Sequence, residues 1–141
     1  MSESDKQKLK YLAQLEIDRI TDLLGPVVRV CGPLTADGPA GYERNAARLL
    51  QAEEVLKQKG YTVWDFTPSE LVIQKYDFKH DDIVECFHKP VLQSGLIKVA
   101  FFLPRWEQSS GARREHELCE ELGVTIKDFP KCWFSDSLDS E

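Results

Sequence analysis

The sequence predicts an α/β protein built on a parallel sheet with helices on both faces. Three observations lead there. Stretches with helical periodicity alternate along the chain with short β-branched runs. The run Leu96–Leu103, Leu-Ile-Lys-Val-Ala-Phe-Phe-Leu, is almost continuously apolar, which suits a central strand covered on both faces. Two glycine-bearing polar loops, 32–41 and 104–111, each follow a strand and precede a helix. Loops of that kind gather at the carboxyl edge of a parallel sheet, where ligands bind.

A length of 141 residues makes one domain that can bury about two-thirds of its unfolded surface without staples. Hydrophobic residues at 42% and charged residues at 30% exclude a disordered chain. No apolar run approaches the ~20 residues that cross a bilayer, so no membrane partner is expected. The start MSESDKQKLK is charged with no apolar stretch behind it, which predicts no signal peptide. The net charge of -6 argues against a broad face for polymeric nucleic acid but leaves room for a local anion pocket. Cys31, Cys86, Cys119 and Cys132 form no CxxC pair or Cys/His cluster, so reduced thiols in the cytoplasm are expected rather than a zinc site.

In chain order, residues 4–24 read as an amphipathic helix, with Leu9, Leu12, Ala13, Ile17, Ile20, Leu23 and Leu24 on one stripe and Gly25-Pro26 as its stop. Val27–Cys31 is a short buried strand. Loop 32–41 holds three Gly and two Pro in ten residues and is read as neither helix nor strand interior. A helix follows over about 42–59, ended by Gly60, and then a strand over 61–66. Residues 69–89 carry little pattern beyond a helical turn or two over 81–88, and Pro90 opens a short helix. Beyond the central strand and its loop, a helix over 112–122 stops at Gly123, and Val124-Thr125-Ile126 is a last strand. The tail 130–141 is acidic and Ser-rich, with Trp133 and Phe134 as anchors. The expected organisation is an N-terminal helix over 1–25, an α/β domain over 26–129 and a tail over 130–141.

The second loop carries the chemistry. Ser109, Gly111, Arg113 and Glu115 stand at a strand-to-helix transition, where unpaired N–H groups and the positive dipole end attract an anion. Ser109 can cap the helix, and Gly111 lets a ligand approach the backbone. Glu115 stands about one turn in and leans back toward the crevice. A carboxylate there either complements the dipole, a surface effect of ~0.3–1 kcal/mol, or acts at an electrophilic sugar carbon as nucleophile or electrostatic stabiliser.

With these residues in view the chain resembles the nucleoside 2-deoxyribosyltransferase-like superfamily. Gly32-Pro33-Leu34-Thr35 after the first strand carries part of the resemblance, as does Gly60-Tyr61-Thr62-Val63. The more specific part is Leu103-Pro104-Arg105-Trp106-Glu107-Gln108-Ser109-Ser110-Gly111-Ala112-Arg113-Arg114-Glu115, followed by Leu122-Gly123. It is most similar to phage-associated members whose signatures run roughly GPMTG and LPGWxxSxGARxE. The resemblance covers residues 27–127.

The resemblance implies a three-layer sandwich around a parallel, flavodoxin-like sheet of about five strands. It implies an N-glycosidic bond as target, with Glu115 attacking the anomeric carbon to form a glycosyl-enzyme. Superfamily members that act on nucleoside 5′-monophosphates carry serine where this chain has Ser109, which implies phosphate binding there. Gly32, Pro33, Thr35, Trp106, Gly111 and Arg113 would complete the substrate and phosphate site. Thr35 and the amides of 32–38 form the opposite wall, and Arg113 adds charge unless it is only a helix-surface arginine. The superfamily's catalytic aspartate is missing: the positions 26, 25 and 24 before Glu115 are Lys89, Pro90 and Val91. His88 next to them, or Asp81 or Asp82, could take its place as acid/base.

Remaining residues have quieter readings. Trp106 and Tyr42 can stack on a base or pack at the loop base. His80, Asp81 and Asp82 are adjacent, and adjacent residues seldom converge on one metal ion, so none is expected. His116 is read as facing solvent or an interface, Cys31 as a buried thiol, and the charges of 115–121 as a solvated face. The N-terminal stripe packs on its own sheet or on a partner, and the resemblance implies a homodimer or higher homo-oligomer, with Ser135, Ser137, Trp133 or Phe134 reaching a neighbouring site. The expected function is a hydrolase or transferase acting on the N-glycosidic bond of a nucleoside 5′-monophosphate, without metal or organic cofactor. The alternatives are a degenerate nucleotide-binding module, favoured by the missing aspartate, and a structural interaction protein.

Overall fold

Four parallel strands carry the fold: β1 (Val27–Cys31), β2 (Thr62–Val63), β3 (Ile97–Phe102) and β4 (Thr125–Asp128). They lie in the order β2-β1-β3-β4 in a computed structural model that describes residues 3–23, 25–32, 38–64, 73 and 78–134. The parallel α/β architecture is as expected, with four strands rather than about five among the described residues. The chain moves from β1 outward to β2, then crosses back to β3 on the other side. The carboxyl ends of β1 and β3 therefore flank a topological switch point.

Register decides which side chains meet which layer. Arg29 pairs with Ala100 and Cys31 with Phe102, while Val28 pairs with Val99 and Val30 with Phe101. Side chains alternate along a strand, so Arg29, Cys31, Ala100 and Phe102 point to one face and Val28, Val30, Val99 and Phe101 to the other. All five residues of β1 are buried, Arg29 included.

On the face of Val30 and Phe101 lies α2 (Gly38–Gln58). Phe101 makes an edge contact with Phe129 at 6.5 Å and a tilted one with Trp133 at 6.1 Å. Lys59 Nζ sits 4.5 Å over the Trp133 ring and the Arg48 guanidinium 4.9 Å over Phe134. The two aromatics are anchors on this chain's own sheet, whereas Ser135 and Ser137 lie outside the described residues. Expected from 42, α2 begins at Gly38, so the end of the first loop is helix. Pro39 falls in the first turn, where the missing N–H would have no intrahelical partner anyway. Pro33 and Thr35 lie outside the described residues, as do the side chains of Tyr42 and His80.

On the face of Arg29 pack α1 (Glu3–Thr21) and α5 (Ser110–Leu122), together with a helical run between them. That run comprises α3 (His80–Ile83), a π turn (Val84–His88) and α4 (Lys89–Gln93). Pro90 has no N–H to give the Cys86 carbonyl and its ring crowds that carbonyl; the wider π turn before it provides clearance. The α1 stripe buries Leu9, Ala13 and Ile20 in the common core, so its cover comes from within the chain. The helix ends at Thr21, not Leu24. Gly123 ends α5 in the left-handed region at φ 77° and donates its N–H to Cys119. Among the described residues no helix is long and apolar enough to cross a membrane.

Candidate functional site

The N-terminus of α5 is built as its sequence suggests. Ser109 is the N-cap: its backbone is extended and its Oγ accepts the Ala112 N–H at 3.2 Å. The face Ala112–Glu115–Leu118–Cys119 repeats every three or four residues and is buried against the sheet. Glu115 is therefore the one acid of the charged stretch 115–121 that turns inward, 8% exposed. The other acids of that stretch, Glu117, Glu120 and Glu121, are exposed, as expected, while Leu118 and Cys119 face inward beside Glu115.

Glu115 meets Arg29, which is only 2% exposed. Arg29 Nε donates to Glu115 Oε2 at 3.1 Å and Nη2 to the same oxygen at 2.5 Å. His88, presented by the π turn, places Nδ1 3.6 Å from that oxygen. The ion pair leaves Oε1 out. The guanidinium also lies 4.4 Å over the ring of Trp64, just past β2. Trp64 Nε1 donates to Glu16 Oε1 at 2.5 Å, and Arg19 Nη2 donates to that oxygen at 2.6 Å. A continuous polar chain thus runs from α1 through Trp64 and Arg29 to Glu115 and His88.

Electrostatics follow from that geometry. Burial by itself would raise the Glu115 pKa, but Arg29 and then His88 override it and hold the carboxyl below its ordinary range. Burial opposes the charge on Arg29, yet Glu115 and Cys31 raise its pKa above the usual guanidinium value. Burial and the Glu115 carboxylate push the Cys31 thiol well up and the Cys119 thiol up to about 12, so both stay protonated; Cys31 is the buried thiol expected, and it also hydrogen-bonds with Glu115 and Arg29.

Of the residues singled out by sequence, Glu115 and His88 come together. Asp82 is half-buried on α3, and among the described residues no hydrogen bond or ion pair ties it to Glu115 or His88; its neighbour Asp81 pairs with Arg114 at 2.9 Å. Arg113 Nη1 donates to the Glu107 carbonyl at 2.6 Å, bracing the 3-10 turn Trp106–Gln108. Trp106 stacks on His116 with centroids 4.2 Å apart and 4° between planes, and meets Phe102 edge-on. His116, expected to face solvent or an interface, is half-buried in that stack. Gly32 closes β1, where an added Cβ would come within 2.8 Å of Leu103 Cδ1; it is needed for close packing. Gly111 lies in the first turn of α5, half-buried.

Sequence reasoning missed Arg29. Its signal was present: an arginine inside an otherwise apolar buried strand has to find an acid, because a buried charge persists only when paired. Trp64 and Glu16 carried no such signal, since their contact spans 48 residues. Among the described residues no group of three His, Cys, Asp or Glu side chains is placed to hold a metal ion. Searches among curated proteins and among solved structures find no match to this chain. Residues 26–128, which hold Arg29, His88, Ser109 and Glu115 but not α1, match the model of a domain of unknown function, DUF4406, and the chain belongs to that family.

Proposed function

We propose that this chain is a nucleoside deoxyribosyltransferase-like enzyme that cleaves, or transfers from, the N-glycosidic bond of a nucleoside 5′-monophosphate. The observation that carries the reading is the Glu115 carboxylate: buried, held ionised by Arg29 through one oxygen, with His88 3.6 Å away and the other oxygen outside the pair. Oε1 attacks the anomeric carbon as the bond to the base breaks. The electron pair of that bond goes to the base, which takes up a proton. Water then attacks the same carbon, the bond to Oε1 breaks, and the carboxylate returns; His88 is the group within reach to take the water's proton.

Arg29 favours the second half. Esterified Glu115 has no charge, so the glycosyl-enzyme leaves Arg29 buried without its counter-charge, and hydrolysis restores the pair. The proposal includes a cytoplasmic location, in keeping with four cysteines that form no disulfide among the described residues, and a homo-oligomer. A second reading, a nucleotide-binding module without turnover, is favoured by the same ion pair: Oε2 is committed to Arg29, and Asp82 stands apart from it.

The test is release of free base, followed by chromatography, from a panel of ribo- and deoxyribonucleoside monophosphates. Glu115→Gln, which keeps the shape and an acceptor for Arg29, should cut the rate by about a thousandfold or more. Nucleotide binding with no release from any substrate supports the module instead.

A further inference from the structure

A second group of arginines lies apart from Arg29. Arg44 and Arg48 from α2 and Arg105 from the loop after β3 line, with Asn45, Leu103 and Pro104, a cavity of about 140 Å³. It opens where β3 ends beside β1, at the carboxyl edge of the sheet where parallel α/β folds bind ligands. No acid is among the described residues that line it. Neither Arg44 nor Arg48 forms an ion pair with a described residue. The two are four apart on one helix, a like-charged spacing that costs helix stability. Arg105 adopts φ 72°, an uncommon conformation for a residue with a side chain, and its Nε and Nη2 donate to Gln108 Oε1 at 3.2 and 3.0 Å. A protein of net charge -6 thus gathers three guanidinium groups around one crevice.

We propose that this crevice is a phosphate-monoester site. Guanidinium forks match the oxygens of a phosphate in charge and geometry. The volume is below the about 300 Å³ at which pockets for whole ligands begin, so it suits the phosphate end of a larger molecule. Ser109, the residue expected to hold phosphate, is only 6% exposed, and with its Oγ accepting the Ala112 N–H it has a single O–H left to donate, against the several donors of three guanidinium groups. The inference rests on the proposed function only in naming a nucleoside monophosphate as the ester; phosphate recognition itself stands without turnover.

Calorimetric titration with inorganic phosphate, AMP and adenosine tests it. Inorganic phosphate should bind, and AMP should bind at least about tenfold more tightly than adenosine. Arg44→Ala should weaken phosphate by about tenfold with an unchanged melting temperature, because Arg44 is exposed and its loss removes only a charged donor. Arg44→Lys should fall between, and Lys98→Ala, which removes an exposed charge elsewhere on β3, should bind as the parent does. Absence of phosphate binding to the parent, or equal binding by Arg44→Ala and the parent, overturns the inference. Base release with unchanged KM in Arg44→Ala also removes it and leaves the glycosidase reading standing. Phosphate binding lost in Arg44→Ala, with no base released by the parent, supports this site and removes that reading.

Discussion

Arg29 and Arg44 are the same residue type in opposite situations. Arg29 is 2% exposed within the sheet, doubly bonded to a carboxylate and covered by an indole ring. Arg44 is exposed at the mouth of a crevice that also holds Arg48 and Arg105, with no acid among its described lining residues. A buried cation must carry its counter-ion inside the fold, whereas an exposed one is solvated and can exchange water for a ligand. Burial thus separates an arginine that shapes the protein's own carboxylate from those placed to take an external anion.

The largest expected effect breaks the buried half of this comparison. Arg29→Met should cost about 3–5 kcal/mol in denaturant unfolding, because Glu115 is left buried and unpaired, whereas Arg44→Ala should stay within about 0.5 kcal/mol. Combining Arg29→Met with Glu115→Leu should recover most of the loss. A double variant as unstable as the single would show that packing around Trp64, and not charge pairing, governs this region.

Acid sharpens the same contrast. The folded state holds the Glu115 pKa below its ordinary 4.5, so the unfolded chain takes up this proton first. The stability from the pair is complete above pH 4.5 and is lost as pH falls through the depressed value. Unfolding followed against pH should show this loss in the parent and less of it in the double variant.

A smaller effect concerns the helix that carries Glu115. Ser109→Ala removes the acceptor for the Ala112 N–H and should cost about 1 kcal/mol. If that variant also abolished phosphate binding, the anion site would lie at α5 and not at Arg44. Smallest is a reactivity difference among thiols. Cys132 is exposed and should react rapidly with a thiol reagent at neutral pH, while Cys31 and Cys119, buried with raised pKa values, should wait for unfolding.

Much of the fold was legible because its signals are local. The apolar run 96–103 contains β3, Gly123 ends α5, and Ser109 caps it, each through chemistry within a few residues. The start of α2 was misplaced because glycine and proline read as loop, although proline suits a first turn. Helix geometry leans Glu115 back toward the crevice, and the resemblance left His88, Asp81 or Asp82 as candidates to stand beside it, of which His88 is the one found within 3.6 Å; its partner Arg29 was not foreseen. Arg29 and Glu115 lie 86 residues apart, and periodicity carries no information about which strand faces which helix.

By itself the sequence determined most of the strands and helices and their parallel arrangement, and it offered an inward carboxylate on α5 as one of two readings, since these follow from side-chain spacing, capping and turn chemistry along the chain. Only the tertiary structure decided that the carboxylate meets Arg29, that α1 reaches the site through Glu16 and Trp64, and that three arginines converge at the sheet edge. Register and layer packing make those contacts, and they join residues whose separation in sequence is far greater than any local pattern spans.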